Sequence, residues 1–128
     1  MSSPILSVTD LKKHYSIRNL FQPTKLVKAL DGVSFELEEQ RTLAIVGESG
    51  CGKSTLAKTL MKIEPKTSGD VVLDQQRFEE INGKEFRKKI QMIFQDPYGS
   101  LNPRKKACEI ISEPLAINTD LNRNQRKE

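Results

Sequence analysis

Residues 47–54 read Gly-Glu-Ser-Gly-Cys-Gly-Lys-Ser, the complete spacing G-x-x-x-x-G-K-[ST]. No other feature restricts the fold as much. A loop of this kind works between a buried strand and a helix, where backbone N–H groups and the helix dipole converge on phosphate. Gly47, Gly50 and Gly52 are expected to supply positive φ values and close backbone approach that a Cβ would block. Lys53 would place an ammonium between the terminal phosphates of a nucleotide, and the Ser54 hydroxyl would ligate Mg2+. The flanks read accordingly. Thr42–Val46 is a short apolar run with the β-branched content of a buried strand. Lys53–Ile63 reads as a helix with Leu56, Leu60 and Ile63 in an apolar stripe and Lys58 and Lys62 opposite, stopped by Glu64-Pro65.

Composition bounds the rest. The chain has 128 residues, 36% hydrophobic and 30% charged, and contains no apolar run of the length a membrane-spanning helix needs. The N-terminal Met-Ser-Ser-Pro-Ile-Leu lacks the charged-then-apolar layout of a secretory signal. Cys51 and Cys108 make neither a disulfide framework nor a zinc pattern, so a cytosolic compartment fits, and Cys51 reads as a small residue chosen for size in a crowded loop. The net charge of +4 draws on Lys84–Lys89 and the basic C-terminus, interleaved with Glu85 and Glu109. No basic cluster is paired with stacking aromatics, which argues against a nucleic-acid partner.

Along the chain, Ile5–Ile17 suggests a strand or hairpin, Arg18–Lys25 a loop containing Pro23, and Asp31-Gly32 a turn before clean alternation at Val33, Phe35 and Leu37. Residues 1–41 are therefore expected to be mainly antiparallel β. Thr67–Asp70 reads as a turn into a strand at Val71–Leu73. Phe86–Lys89 reads as helical and Ile90–Phe94 as a buried strand. Arg104–Glu113 reads as a short helix broken at Pro114, and Leu121–Glu128 as the first turns of another.

Three stretches carry a resemblance: Val27–Phe35, Gly47–Thr55, and Phe94-Gln-Asp-Pro-Tyr-Gly-Ser-Leu-Asn-Pro-Arg104. Together they resemble the ATP-binding subunit of ABC transporters, in the oligopeptide/dipeptide importer group. The insertion at Ser16–Leu26 and the Pro-Tyr-Gly-Ser wording are similar to the second, F-type member of its paired ATPase subunits. The resemblance implies an α/β P-loop core of the ABC nucleotide-binding type with an N-terminal antiparallel β subdomain, present incompletely. Residues 42–103 would be the P-loop core up to the Q-loop, and 104–128 the start of a truncated helical subdomain. It further implies that Tyr15 stacks on adenine, a task suited to a flat π face. Gly47, Glu48, Ser49, Gly50, Cys51, Gly52, Lys53, Ser54 and Thr55 would hold the phosphates of ATP. Gln95 would be the Q-loop glutamine, reaching Mg2+ or the attacking water, so that Lys53 and Gln95 act in catalysis and Ser54 and Gln95 at the metal. Pro97, Tyr98, Leu101 and Pro103 would face the transmembrane permease. A second ATP-binding subunit and, indirectly, a periplasmic peptide-binding protein complete the implied partners, at the cytoplasmic face of a bacterial inner membrane.

Departures from that family matter equally. No two glycines are adjacent, so no Leu-Ser-Gly-Gly-Gln segment is present, and no apolar run ends in Asp-Glu. His14 is the only histidine and precedes the phosphate loop, so it is not the family's switch histidine. Without the Walker B pair, Mg2+ lacks an anchor and the attacking water lacks a base. The 128 residues are accordingly expected to be the N-terminal fragment of a transporter ATPase that folds poorly and is inactive alone. Two other function classes also carry such a loop. A soluble P-loop kinase or GTPase would place the loop nearer the N-terminus, and a GTPase would carry an Asn-Lys-x-Asp base reader, which Asn82-Gly-Lys84 is not. A nucleotide-binding module without hydrolysis is compatible with the missing motifs.

Overall fold

A computed structural model describes residues 3–19, 22–122 and 124–125. The chain divides into two compact units, Met1–Ile81 and Asn82–Glu128. The first holds β1 (Leu6–Asn19), β2 (Gln22–Leu37), α1 (Lys53–Leu60), β3 (Ser68–Leu73) and β4 (Gln76–Arg77). The second holds α2 (Gly83–Lys89), α3 (Pro97–Ser100) and α4 (Ala107–Asn118).

The strands of the first unit form one sheet in the order β2-β1-β3-β4, antiparallel throughout. The expected antiparallel N-terminal portion is present. Its hairpin is longer than the alternation suggested: pairing runs from Leu6 opposite Leu37 to Asn19 opposite Gln22. Most of the expected Arg18–Lys25 loop therefore lies inside the strands, and its residues 20 and 21 fall outside the described ones. Pro23 is compatible with this because β2 is an edge strand, where a missing N–H donor breaks no interior ladder.

Asp31-Gly32 is not a turn. Both residues belong to β2, and Gly32 is the extra residue between the pairs Leu11–Val33 and Lys12–Asp31. A second irregularity lies on β1, where Thr9 and Asp10 together face Ser34, and the Asp10 N–H donates to Ser34 Oγ at 2.8 Å. Asp10 has φ +48°, Gly32 +91° and Gly69 +94°. On the β3 side Asp10 and Leu11 pass over Gly69, where a Cβ would lie 2.4 Å from the Asp10 carbonyl oxygen and 2.6 Å from Leu11 Cα. The bulge changes the parity of β1. Leu6 and Val8 are buried before it, Leu11 and Lys13 after it, so one extra residue keeps the same face inward. For the same reason Ser68–Asp70, read as a turn, is the first half of β3.

That inward face and α1 enclose the core, with Leu11 and Val8 fully buried beside Leu30, Leu56, Val71 and Phe78. α1 ends at Leu60, before Glu64-Pro65. Lys62 takes φ +55°, its N–H donates to Thr59 O at 3.1 Å, and the Ile63 N–H donates to Lys58 O at 2.9 Å. This is a Schellman closure with lysine where glycine is usual. The Lys62 ammonium donates to the carbonyls of Phe78 and Ile81 and lies 5.4 Å from the Phe78 ring centre, contacts that offset the left-handed backbone. Lys62 is thus engaged with the chain, and Ile63 is half-exposed at 54%, outside the expected stripe.

Two expected strands are absent. Thr42–Val46 and Ile90–Phe94 form no strand, and Val46 and Ile93 are 88% and 95% exposed. An apolar run becomes a buried strand when neighbouring strands complete its ladder, and among the described residues neither run has one. The helices of the second unit follow their caps. Asn82 Oδ1 accepts the Glu85 N–H at 2.9 Å to start α2, three residues before the expected Phe86, and Arg87, Lys88 and Lys89 favour its C-terminal dipole. α4 starts at Ala107, with Glu109 accepting the Lys106 N–H at 2.9 Å. It continues through Pro114 to Asn118 instead of breaking there. Proline removes one helical hydrogen bond, and since no residue of α4 is buried, water can hydrate the carbonyl left over. The expected helical turns over 121–128 are not seen in 121 and 122, and 123 and 126–128 lie outside the described residues.

Candidate functional site

The phosphate-loop motif folds as its spacing requires at the helix and not at the strand. Residues 41–51 are exposed, and the loop turns at 49–52 into α1. Gly50 and Gly52 have φ of +82° and +100°. Gly47 does not adopt a positive φ, a correction to its expected role; a Cβ there would lie 2.6 Å from Sγ of the exposed Cys51, a side-chain end that can rotate away. Cys51 itself is exposed, with its Sγ 3.4 Å from the Lys53 ammonium. Gly52 combines its positive φ with close approach, since its Cβ would sit 2.4 Å from the Ala29 carbonyl oxygen and 3.3 Å from Leu30 Cδ2.

Lys53 defines the electrostatics. Its ammonium donates to the carbonyls of Gly47 and Glu48, both at 2.7 Å, and lies 3.4 Å from Cys51 Sγ. The loop thus curls around its own cation. Gly52 provides no side-chain cap for α1, and the first intrahelical bond of the ladder runs from the Leu56 N–H to Gly52 O at 2.8 Å. The N–H groups of Lys53, Ser54 and Thr55 precede that bond, so helix geometry gives them no intrahelical acceptor. No acidic residue lies in the first turn of α1. Donors, dipole and ammonium together form an anion cradle. Ser54 is exposed beside it. Among the described residues no group of three or more His, Cys, Asp or Glu could hold a metal. One hydroxyl ligand suits Mg2+, which keeps several waters and takes its remaining ligands from phosphates.

Tyr15 lies on β1 opposite Val27, partly exposed. The hairpin brings it near the loop's end. Lys13, two residues away on the same face, pairs with Leu30, and Gly52 packs on Leu30 and Ala29. Lys13 is 7% exposed, and its ammonium stands 4.7 Å from the Tyr15 ring centre. Lys13 is not among the residues that the sequence motifs single out. The signal available was its i,i+2 spacing from Tyr15. His14 points to the other face, where Nε2 is 3.1 Å from Asp31 Oδ1. Lys28 and then His14 hold the Asp31 carboxyl below its ordinary value.

Gln95 belongs to the second unit. It is exposed and lines a hollow of about 520 Å3 with Phe94, Asp96, Gly99 and Ser100. Asp96 caps α3, accepting the N–H groups of Tyr98 at 3.1 Å and Gly99 at 3.0 Å, with Pro97 at the first helical position. Tyr98 is 90% exposed and Leu101 half-exposed. Phe94 is half-exposed as well, so the segment presents an apolar surface.

The ABC transporter family model matches residues 30–127. The chain belongs to that family. Among curated members of the family, the dipeptide transport ATP-binding protein DppF of Escherichia coli K12 is 53% identical over 132 residues, covering 100% of this chain and 40% of its own length. DppF of Haemophilus influenzae is 50% identical, covering 99% and 40%. The oligopeptide transport ATP-binding protein OppF of Salmonella typhimurium is 46% identical over 118 residues, covering 87% and 35%. This ABC chain therefore spans about two-fifths of the length of the relatives it matches. Its fold resembles the ATP-binding cassette MJ0796, solved as a dimer bound to ADP and Pi, with a TM-score of 0.75 at 24% identity over 95% of this chain and 52% of that one. The fold is that of part of an ABC nucleotide-binding domain. No helix among the described residues is long and apolar enough to cross a membrane.

Proposed function

We propose that these residues bind ATP for an ABC importer of di- and oligopeptides. The polypeptide that contains them would be its ATP-binding subunit, at the cytoplasmic face of a bacterial inner membrane. The anion cradle supports this reading most directly: a cation held at 2.7 Å by two loop carbonyls, beside the uncapped start of α1. Similarity to peptide-transport ATP-binding proteins along the chain supports the substrate class.

In this reading the backbone of Gly47–Thr55 binds the triphosphate, and Lys53 leaves its two carbonyls to pair with the terminal phosphates. Ser54 offers its hydroxyl to Mg2+, and Gln95 approaches metal or water. Mg2+ would neutralise charge on the phosphate oxygens. Tyr15 stacks on adenine. Tyr98 and Leu101 face the membrane permease, a second ATP-binding subunit closes on the nucleotide, and a periplasmic peptide-binding protein delivers cargo. The 128 residues contain no apolar-Asp-Glu run to supply a base, so in this reading they would not turn ATP over by themselves.

Lys53→Ala in the full-length subunit tests the assignment. Hydrogen bonds involving a charged group contribute roughly 1.5–3 kcal/mol, so ATP affinity should fall about tenfold or more, with peptide uptake abolished. Unchanged ATP-dependent uptake by that variant would remove the assignment.

A further inference from the structure

We propose that Lys13 is a positioning residue for the base-stacking ring of Tyr15, and so contributes to recognition of the nucleobase and not of the phosphates. The inference rests on the reading of Tyr15 as the adenine platform. Lys13 is a cation inside the sheet's buried face, where lysine is rarely found unless its charge has partners. Its ammonium donates to the Pro65 carbonyl at 2.7 Å, lies 3.5 Å from Glu64 Oε2, and stands 4.7 Å from the centre of the Tyr15 ring. The carbonyl and the carboxylate hold it from the segment after α1, and the ring takes a third side. A lysine so fixed cannot turn away, and a cation at this distance from an aromatic centre is attracted to the ring face.

Two consequences follow for Tyr15. One face of the ring is occupied, so the ring has a preferred orientation and offers its opposite face to a planar ligand. The cation also draws π density toward itself, leaving the opposite face better suited to an electron-rich purine. The same ammonium ties the ring to the backbone that leaves the phosphate-loop helix. The charges of the neighbouring cleft, by contrast, are all engaged within the protein, Lys66 with Glu79 and Lys62 with backbone carbonyls, and leave nothing aimed at a ligand.

The test compares ATP with inorganic tripolyphosphate, which lacks a base, as ligands of the full-length polypeptide. Lys13→Met should weaken ATP binding roughly threefold to thirtyfold, the range of a partly to fully desolvated cation–π contact, while tripolyphosphate binding stays unchanged. Lys13→Arg, which keeps the cation, should restore most of the loss. Lys13→Gln retains a donor for Pro65 but no charge; it should behave like Lys13→Met, and it serves if the methionine variant does not fold. Tyr15→Ala should show the same selective loss of ATP, and adding Lys13→Met to it should cost nothing further. If the Lys13 variants weaken both ligands equally, the residue only supports the fold and the proposal is wrong. If Tyr15→Ala selectively loses ATP while the Lys13 variants do not, the proposal fails and the stacking role stands. If Tyr15→Ala affects neither ligand, both fall.

Discussion

Replacing Gly52 with alanine should cost more than the same change at Gly50, although both glycines lie in one loop with positive φ. Gly50 has φ +82° and open space around the position of a Cβ. Alanine there meets only backbone strain, about 1–2 kcal/mol for an L-residue in the left-handed region. Gly52 carries the same strain at φ +100°, but its Cβ would also lie 2.4 Å from the Ala29 carbonyl oxygen. An ordinary carbon–oxygen contact is about 3.3 Å, so loop and strand must separate by roughly 0.9 Å. Buried Leu30 lies just beyond, 3.3 Å from the added atom, and limits how far β2 can retreat. Overpacking of this kind adds about 1–3 kcal/mol, for a total near 2–5 kcal/mol. In the full-length subunit, a larger domain, each kcal/mol shifts Tm by about 2–4 °C. Thermal and denaturant unfolding of the two variants, beside tripolyphosphate binding, reads the difference. Gly52→Ala should melt several degrees below Gly50→Ala and bind tripolyphosphate more weakly. Equal losses for the two variants would refute the role assigned to the Ala29 contact, and no loss for either would refute the strain argument as well.

Gln95→Ala should leave ATP affinity largely intact while slowing hydrolysis and its coupling to uptake, since the side chain is assigned to metal and water. A loss of affinity as large as that of Lys53→Ala would contradict the role. The Asp31 carboxyl is held below its ordinary 3.8 by Lys28 and His14. A depressed folded value contributes stability that is present above the ordinary value and lost as pH falls through the folded one. Asp31→Asn should therefore flatten the decline in stability below about pH 4, measured as urea midpoints at pH 6 and pH 3. Parallel declines in variant and parent would show that the pair carries no such contribution.

The phosphate loop was legible because its determinants are local. The Lys53 ammonium reaches carbonyls five and six residues away, and the glycine positions express backbone requirements within one turn. The caps of α2 and α3 are equally local, in Asn82 and Asp96, although the sequence pattern suggests a start of α2 only at Phe86 and no helix over Pro97–Ser100. Alternation likewise announced an antiparallel β portion. It could not announce the bulge, because Gly32 and Gly69 are glycines on account of Asp10, which approaches both from another strand. The dipeptide Asp31-Gly32 carries the same turn signal whether a chain reverses there or bulges.

The sequence by itself determined the turn at residues 50–52 and the helix that follows it, since spacing and backbone freedom are properties of a short covalent segment. Tertiary structure alone decided three other features. It decided that Thr42–Val46 and Ile90–Phe94 are not strands, because a strand's hydrogen bonds are made by a neighbour and an apolar run does not specify one. It decided that α1 ends at Leu60, because the left-handed Lys62 is held by carbonyls of Phe78 and Ile81, far along the chain. It also buried Lys13 beneath Tyr15, because the charge found its partners in Glu64 and Pro65, which only the folded chain brings to β1.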